Sequence, residues 1–289
     1  MDKPYQRIFT AFVGVPVLYI IFYLGGIWFL ILFLLIILLA QYEFLKLLEN
    51  KGYSVQKGLV LLSSVFLPVA AYYGFIYANG IFIIIVFASL LIHFLQKRFE
   101  DIIVKVGVTV FGITYISLFL SYSILLRNMG TNSNIQIITE NVQGTNDMGF
   151  FLVIFVVTCT FLNDTGAYYI GKWMGKRKLS PEISPGKTVE GTFGGIITAI
   201  ITGGLINLIF NSPLPYFFTF VFALIVSLAA IFGDLFESMI KRSVGVKDSG
   251  AILPGHGGIL DRFDSLILVF PVSYYSILYY CFISHGFKF

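Results

Sequence analysis

Nine long apolar runs separated by short polar segments organise this chain, at approximately Ile8–Leu24, Ile27–Leu47, Gly58–Tyr77, Ile81–Leu95, Val104–Leu126, Gly149–Ile170, Gly191–Phe210, Tyr216–Met239 and Phe263–Ile283. They approach the roughly 20 residues that a helix needs to cross a bilayer. The runs are continuous rather than alternating over about ten residues, which argues against barrel strands. The pattern predicts an all-α, polytopic membrane protein with about nine transmembrane helices. With 57% hydrophobic and 12% charged residues, the chain departs from the roughly 25% charged content of a soluble domain.

The Lys and Arg residues orient these helices, because cytoplasmic loops of membrane proteins carry their excess. With a cytoplasmic N-terminus and nine crossings, all but Arg127 and Lys288 of the 19 basic residues fall on the cytoplasmic side. A miscounted span would scramble that asymmetry. The net charge of +4 is therefore a topology signal first and a hint of anionic lipid or nucleotide second; it does not argue for nucleic acid. The first run is followed almost at once by a second and lacks a small-residue cleavage site, so it is read as retained. Size and the lack of a targeting extension point to a bacterial inner membrane, with the N-terminus and active site cytoplasmic.

One membrane domain over residues 1–289 is the simplest organisation. Residues 1–126 are nearly uniform apolar helix and read as scaffold. Residues 149–284 carry Asn, Asp, Glu and Gly in or beside the spans and are expected to hold the active site. The polar stretch 127–148 between them reads as a solvated extracytoplasmic connection. Gly191 and Gly195 have the small-xxx-small spacing that permits close helix approach; packing within the chain is the expectation and a homodimer seam the alternative. Cys159 and Cys281 lie inside predicted spans and read as small buried hydrophobes.

Chemistry concentrates in Ser238–Asp264, SMIKRSVGVKDSGAILPGHGGILDRFD. Charge near lipid costs about 2.5–3.5 kcal/mol per group at a helix centre, so a dense cluster between two spans suggests a function that offsets it. Asp234, Glu237 and Lys241 share one helical face. Asp261 and Asp264 lie three apart where the last span begins, well placed against a helix N-terminus. Capping explains either acidic pair alone, but two pairs flanking one hairpin are harder to explain so. The glycines of the Leu253–Ile259 turn allow backbone N–H groups to approach an anion. Lys241, Arg242, Lys247, His256 and Arg262 around it are the ingredients of a polyphosphate clamp, although positive-inside topology accounts for such basic residues individually.

Asn163 and Asp164 interrupt the sixth span, where an ionisable residue is a functional candidate. Such oxygen ligands suit Mg²⁺, which commonly takes one or two carboxylates plus substrate phosphates and water. The loop from Gly171 to Thr188 ends in a GKT that suggests a P-loop, but position 181 is Pro where that motif needs Gly. The P-loop is rejected; Lys187 and Glu190 remain as polar contacts at the membrane surface. Glu43 either joins the polar cavity or pairs with Lys46 one turn away.

With Ser238, Lys241–Arg242, Lys247–Asp248, the LPGHGG run Leu253–Gly258, Asp261–Arg262 and Asp264 in view, the chain resembles the phosphatidate cytidylyltransferase family, also called CDP-diacylglycerol synthases. The NDTGAY and SPGKTVEG segments resemble that family's as well, so the motifs cover about residues 160–270. The resemblance implies conversion of CTP and membrane phosphatidate to CDP-diacylglycerol and pyrophosphate, with Mg²⁺ and room for a second cation such as K⁺. On this footing Asp234 and Asp261 are expected as metal ligands, with Asp264 and Asp164 as further ligands. Lys241, Arg242, Lys247 and Arg262 are expected to hold phosphates. His256 and the backbone of Gly255, Gly257 and Gly258 are expected to shape the turn against the nucleotide, with Asn163, Asp164 and Lys187 adding substrate contacts.

Two rivals remain at this point. A related cytidylyltransferase acting on another lipid phosphate, such as an archaeal ether lipid, is the nearer of them. A cation-coupled transporter, from a different class, has against it that the ionisable residues gather near one face without paired half-helices.

Overall fold

The computed structural model describes residues 4–96, 100–129, 148–212, 214–250 and 257–285, with the side chains of 4–13 and 284–285 outside the description. Nine helical stretches occur among the described residues: α1 (Pro4–Leu24), α2 (Gly26–Asn50), α3 (Lys57–Tyr73), α4 (Phe75–Leu95), α5 (Ile102–Arg127), α6 (Met148–Met174), α7 (Val189–Ile209), α8 (Tyr216–Ser243) and α9 (Leu260–His285). They correspond one to one with the nine apolar runs. Among the described residues seven are long and apolar enough to cross a membrane, and Lys57–Tyr73 is a shorter apolar helix. The protein is an integral membrane protein. The nearly unburied α4, with Ile76, Ile83 and Phe87 more than 60% exposed, has the surface of a helix that meets lipid.

The loop from Gly171 to Thr188 contains two short strands. Lys178–Ser180 (β1) and Ser184–Thr188 (β2) make an antiparallel hairpin, pairing Lys178 with Thr188 and Ser180 with Ser184. Val189 N–H donates to Arg177 O at 2.9 Å, so the hairpin runs straight into α7.

The chain divides into two compact units: residues 1–125 with 240–263, and residues 126–239 with 264–289. The first unit therefore combines the helices read as scaffold with most of the signature segment. Its core holds Phe29, Phe33, Phe44, Leu67 and Tyr115. A π-helical turn at Ile113–Leu118 carries Ser117, whose hydroxyl donates to Gln41 Oε1 at 3.1 Å and lies 3.1 Å from Ser63 Oγ. Such polar contacts link helices where apolar burial alone cannot distinguish protein from lipid.

In the second unit glycines bring α6 and α7 together. A Cβ on Gly191 would fall 2.6 Å from Ala167 O, and one on Gly195 2.8 Å from Asn163 O. The small-residue surface of α7 is thus used within the chain. Replacing Gly195 by Leu is expected to lower stability by about 1–3 kcal/mol through overpacking, read as earlier thermal loss of monodisperse protein in detergent. Gly107→Ala, where nothing lies within 4 Å, is expected to leave that temperature unchanged or raise it.

Candidate functional site

The second unit contains a cleft of about 580 Å³ formed by α6, the hairpin, the start of α7 and α8. Its size falls within the roughly 300–1,000 Å³ of small-molecule sites. The sequence places its polar groups on rigid elements. Asn163, buried on α6, accepts a hydrogen bond from Ser227 Oγ at 2.6 Å and donates through Nδ2 to Asp164 Oδ1 at 3.0 Å. Ser227 thus fixes the amide, and the amide orients the carboxylate.

Asp234 on α8 pairs with Lys187 of β2, Oδ2 to Nζ at 2.5 Å, with both side chains about a quarter exposed. Asp164 lies near enough to Asp234 and Lys187 for their charges to act on it. Lys172 and Lys178 also line the cleft. Thr188 caps α7, accepting from Gly191 N–H at 3.1 Å, which sets that helix's N-terminus at the cleft wall. Helix N-termini favour anions through their free N–H groups.

Glu190 secures this wall. Its Oε2 accepts Lys176 N–H at 3.0 Å and Arg177 N–H at 3.1 Å, while Arg177 Nε donates to Oε1 at 3.2 Å. The contact expected of Glu190 at the surface is therefore a clamp on the entry to the hairpin.

The first unit holds a second constellation around Asp261, in the first turn of α9. Oδ1 accepts from Lys241 Nζ at 2.8 Å. Oδ2 accepts Ser249 N–H at 3.0 Å and Gly258 N–H at 3.2 Å. Lys241 and Asp261 are each less than 15% exposed at the side chain, so the pair is well shielded from water. Gly257 has a φ of 85°, a left-handed conformation that glycine adopts at little cost. Gly258 has its Cβ space occupied by Ser249 Oγ and Glu43 Oε2. The segment thus needs these two glycines for its turn and for close approach.

The remaining predicted residues divide. Arg242 Nη1 donates to Val246 O at 3.3 Å, closing the turn after α8. Lys247 and Arg262 are exposed. Asp264 Oδ1 accepts Ser265 N–H at 2.6 Å, and Asp264 is not among the residues lining the cleft. Gly255 and His256 lie outside the described residues.

Sequence reasoning did not place Lys172 and Lys178 in the cleft; the basic loop was the only signal for them. Of the two alternatives for Glu43, pairing with Lys46 is not the one taken: the lysine Nζ lies over the Tyr42 ring, 4.4 Å from the centroid.

Among the described residues no three His, Cys, Asp or Glu side chains gather closely enough to hold a metal ion by themselves. Asp164 and Asp234 nonetheless fit the Mg²⁺ pattern of one or two carboxylates completed by substrate phosphates and water.

Residues 5–280 match the model of the cytidylyltransferase family. A phosphatidate cytidylyltransferase of Bacillus subtilis (strain 168) is 36% identical over 276 residues, 93% of this chain and 96% of that protein. One from Synechocystis sp. is 30% identical over 285 residues, 95% and 97% of the respective chains. A third, from Staphylococcus aureus (strain COL), is 46% identical over 128 residues, 44% of this chain and 49% of that protein.

Proposed function

The chain belongs to the cytidylyltransferase family, and from that premise we propose that it is a phosphatidate cytidylyltransferase, joining CTP and phosphatidate to give CDP-diacylglycerol and pyrophosphate. The observation that carries this reading is the similarity to the Bacillus subtilis enzyme along nearly the whole of both chains. The polar cleft, where two carboxylates and three lysines meet, supplies matching chemistry.

In the reaction a phosphate oxygen of phosphatidate attacks the α-phosphorus of CTP. The bond from that phosphorus to the bridging oxygen breaks, and pyrophosphate leaves with the electron pair. Phosphate monoesters are already anionic at neutral pH, with a second pKa near about 6, so the nucleophile needs little help from a base. The demand is to bring two anions together in line and to neutralise charge on the leaving group.

Lys172, Lys178 and Lys187 counter phosphate charge at the cleft. Asn163 holds Asp164, and Lys187 holds Asp234, so that neither carboxylate needs to reorganise. Mg²⁺, when bound, supplies neutralisation of phosphate oxygens and alignment of the reacting groups. Within the cleft Asp164 and Asp234 would hold it; the assignment of Asp234 and Asp261 as ligands, with Asp264 and Asp164 as further ones, rests on the motif alone. A second cation such as K⁺ would add to the same neutralisation. Lys241, Arg242, Lys247 and Arg262 are proposed as phosphate contacts of the signature segment, with His256, Gly255, Gly257 and Gly258 shaping its turn.

The bacterial relatives favour an inner-membrane protein, and the distribution of the basic residues favours an N-terminus and site on the cytoplasmic side. Phosphatidate would enter from the inner leaflet and CTP from the cytoplasm.

Purified protein incubated with CTP, Mg²⁺ and a panel of lipid phosphates tests the substrate class. Pyrophosphate release is expected with phosphatidate and, by at least about tenfold in kcat/KM, less with an ether-lipid phosphate of altered backbone stereochemistry. Faster release with the latter moves the assignment to another lipid phosphate.

A further inference from the structure

We propose that Glu43, a residue of α2 far from the signature segment in sequence, is a positioning residue for the transfer reaction. It holds Ser249 and Leu260 of that segment and, through them, the Asp261–Lys241 pair. The inference rests on the activity proposed above and concerns only groups within the first unit.

Glu43 is 1% exposed on a helix whose other buried positions are almost all apolar. A carboxylate in such surroundings is costly unless hydrogen-bonded. Its Oε2 accepts Leu260 N–H at 2.9 Å and Ser249 Oγ at 3.3 Å, across 217 and 206 residues of sequence. The Leu260 N–H belongs to the first turn of α9, one of the donors that a helix cannot satisfy internally. A negative charge there is favoured by the helix dipole. Glu43 therefore caps α9 from another helix.

Gly250 and Gly258 both lie close against this carboxylate. A Cβ on Gly250 would fall 2.5 Å from Glu43 Oε1, and one on Gly258 2.7 Å from Oε2. Ser249 is held twice, its hydroxyl by Glu43 and its backbone N–H by Asp261. Asp261 also takes Gly258 N–H and Lys241 Nζ. The two carboxylates thus share Ser249 and between them hold the N–H groups of Gly258 and Leu260. Removing Glu43 frees the Ser249 hydroxyl and the Leu260 N–H together, and the first turn of α9 that carries Asp261 loses its outside support.

Glu43 Oε1 is buried and takes no hydrogen bond among the described residues. Both bonds run through Oε2, so the carbonyl of an amide side chain can keep them. This separates Glu43→Gln from Glu43→Ala.

The test uses the full chain purified in detergent, with kcat and KM for CTP measured alongside hydrogen exchange of peptides covering Ser249 and Leu260. Glu43→Ala is expected to lower kcat about 100-fold, the scale of a misplaced reacting group, with KM for CTP changed less than about threefold. Exchange should accelerate around Ser249 and Leu260 but not in α3 or α4. Glu43→Gln should keep kcat within about tenfold of the parent, since it preserves both acceptor contacts. Wild-type kcat in Glu43→Ala, equal losses in the two variants, or loss of kcat with unchanged exchange at 249–260 overturns the proposal. If Glu43→Ala yields no folded protein, Ser249→Ala removes one of the same bonds from the other side; unchanged kcat and exchange there overturn it equally. A parent protein inactive with CTP and phosphatidate would refute the activity, while the exchange data would still decide whether Glu43 anchors the loop.

Discussion

Asp261→Asn is expected to reduce turnover of CTP with phosphatidate by about 10³-fold. Both carboxylate oxygens act as acceptors: Oδ1 for Lys241 Nζ, Oδ2 for the N–H groups of Ser249 and Gly258. An amide must turn its NH₂ toward one of these donors, and Lys241 loses the carboxylate charge it faces at 2.8 Å. Removing one preorganised electrostatic contact that the reaction uses costs roughly 10²–10³ in kcat, about 1.36 kcal/mol of barrier for each factor of ten. Turnover per folded protein, followed across a Mg²⁺ titration, is the measurement. Glu49→Gln, which breaks the exposed pair with Lys57, is the comparison and should stay within about twofold of the parent, as a surface ion pair contributes little. Wild-type turnover in Asp261→Asn at every Mg²⁺ concentration would remove Asp261 from the chemistry.

Lys187→Met is the second large effect, with kcat/KM for CTP expected to fall about 10²-fold. Lys187 neutralises Asp234 across 2.5 Å and lines the cleft beside Asp164. Its removal leaves two carboxylates facing an incoming polyphosphate with less positive charge to oppose them, which should appear chiefly in KM. Asp234→Asn should lower kcat instead and shift the Mg²⁺ requirement upward. Because the two side chains are in direct contact, the double variant should lose less than the product of the single losses, a coupling expected of residues that share an interaction. Losses that multiply would mean that the pair does not act as a unit.

The helices were legible because burial in lipid demands long, uninterrupted apolar runs, and such runs cannot be mistaken for much else. The hairpin was not: three- and five-residue strands, one containing Pro185 and Gly186, carry no alternation long enough to read. Gly191 and Gly195 announced a close approach through their spacing, but only the structure names α6 as the partner. The motif residues announced themselves by charge in a greasy background, while their pairing stayed hidden. No local periodicity connects Lys187 to Asp234, or Glu43 to Ser249 and Leu260, because these contacts join elements far apart in sequence. Helical spacing left Glu43 between the polar cavity and Lys46; the lysine lies over the Tyr42 ring and the carboxylate takes the N–H of Leu260. That loop carries much of the family likeness, and the helix read as scaffold supplies the acceptor at its base.

The central claim is that the cytidylyl group of CTP moves to phosphatidate. It is tested most directly by incubating the purified protein and phosphatidate with CTP labelled either at the α- or at the γ-phosphorus. The α-label should pass into an organic-extractable lipid in step with release of the γ-label as pyrophosphate, one for one. Lipid left unlabelled by α-labelled CTP, or γ-label released as orthophosphate without labelled lipid, would contradict it.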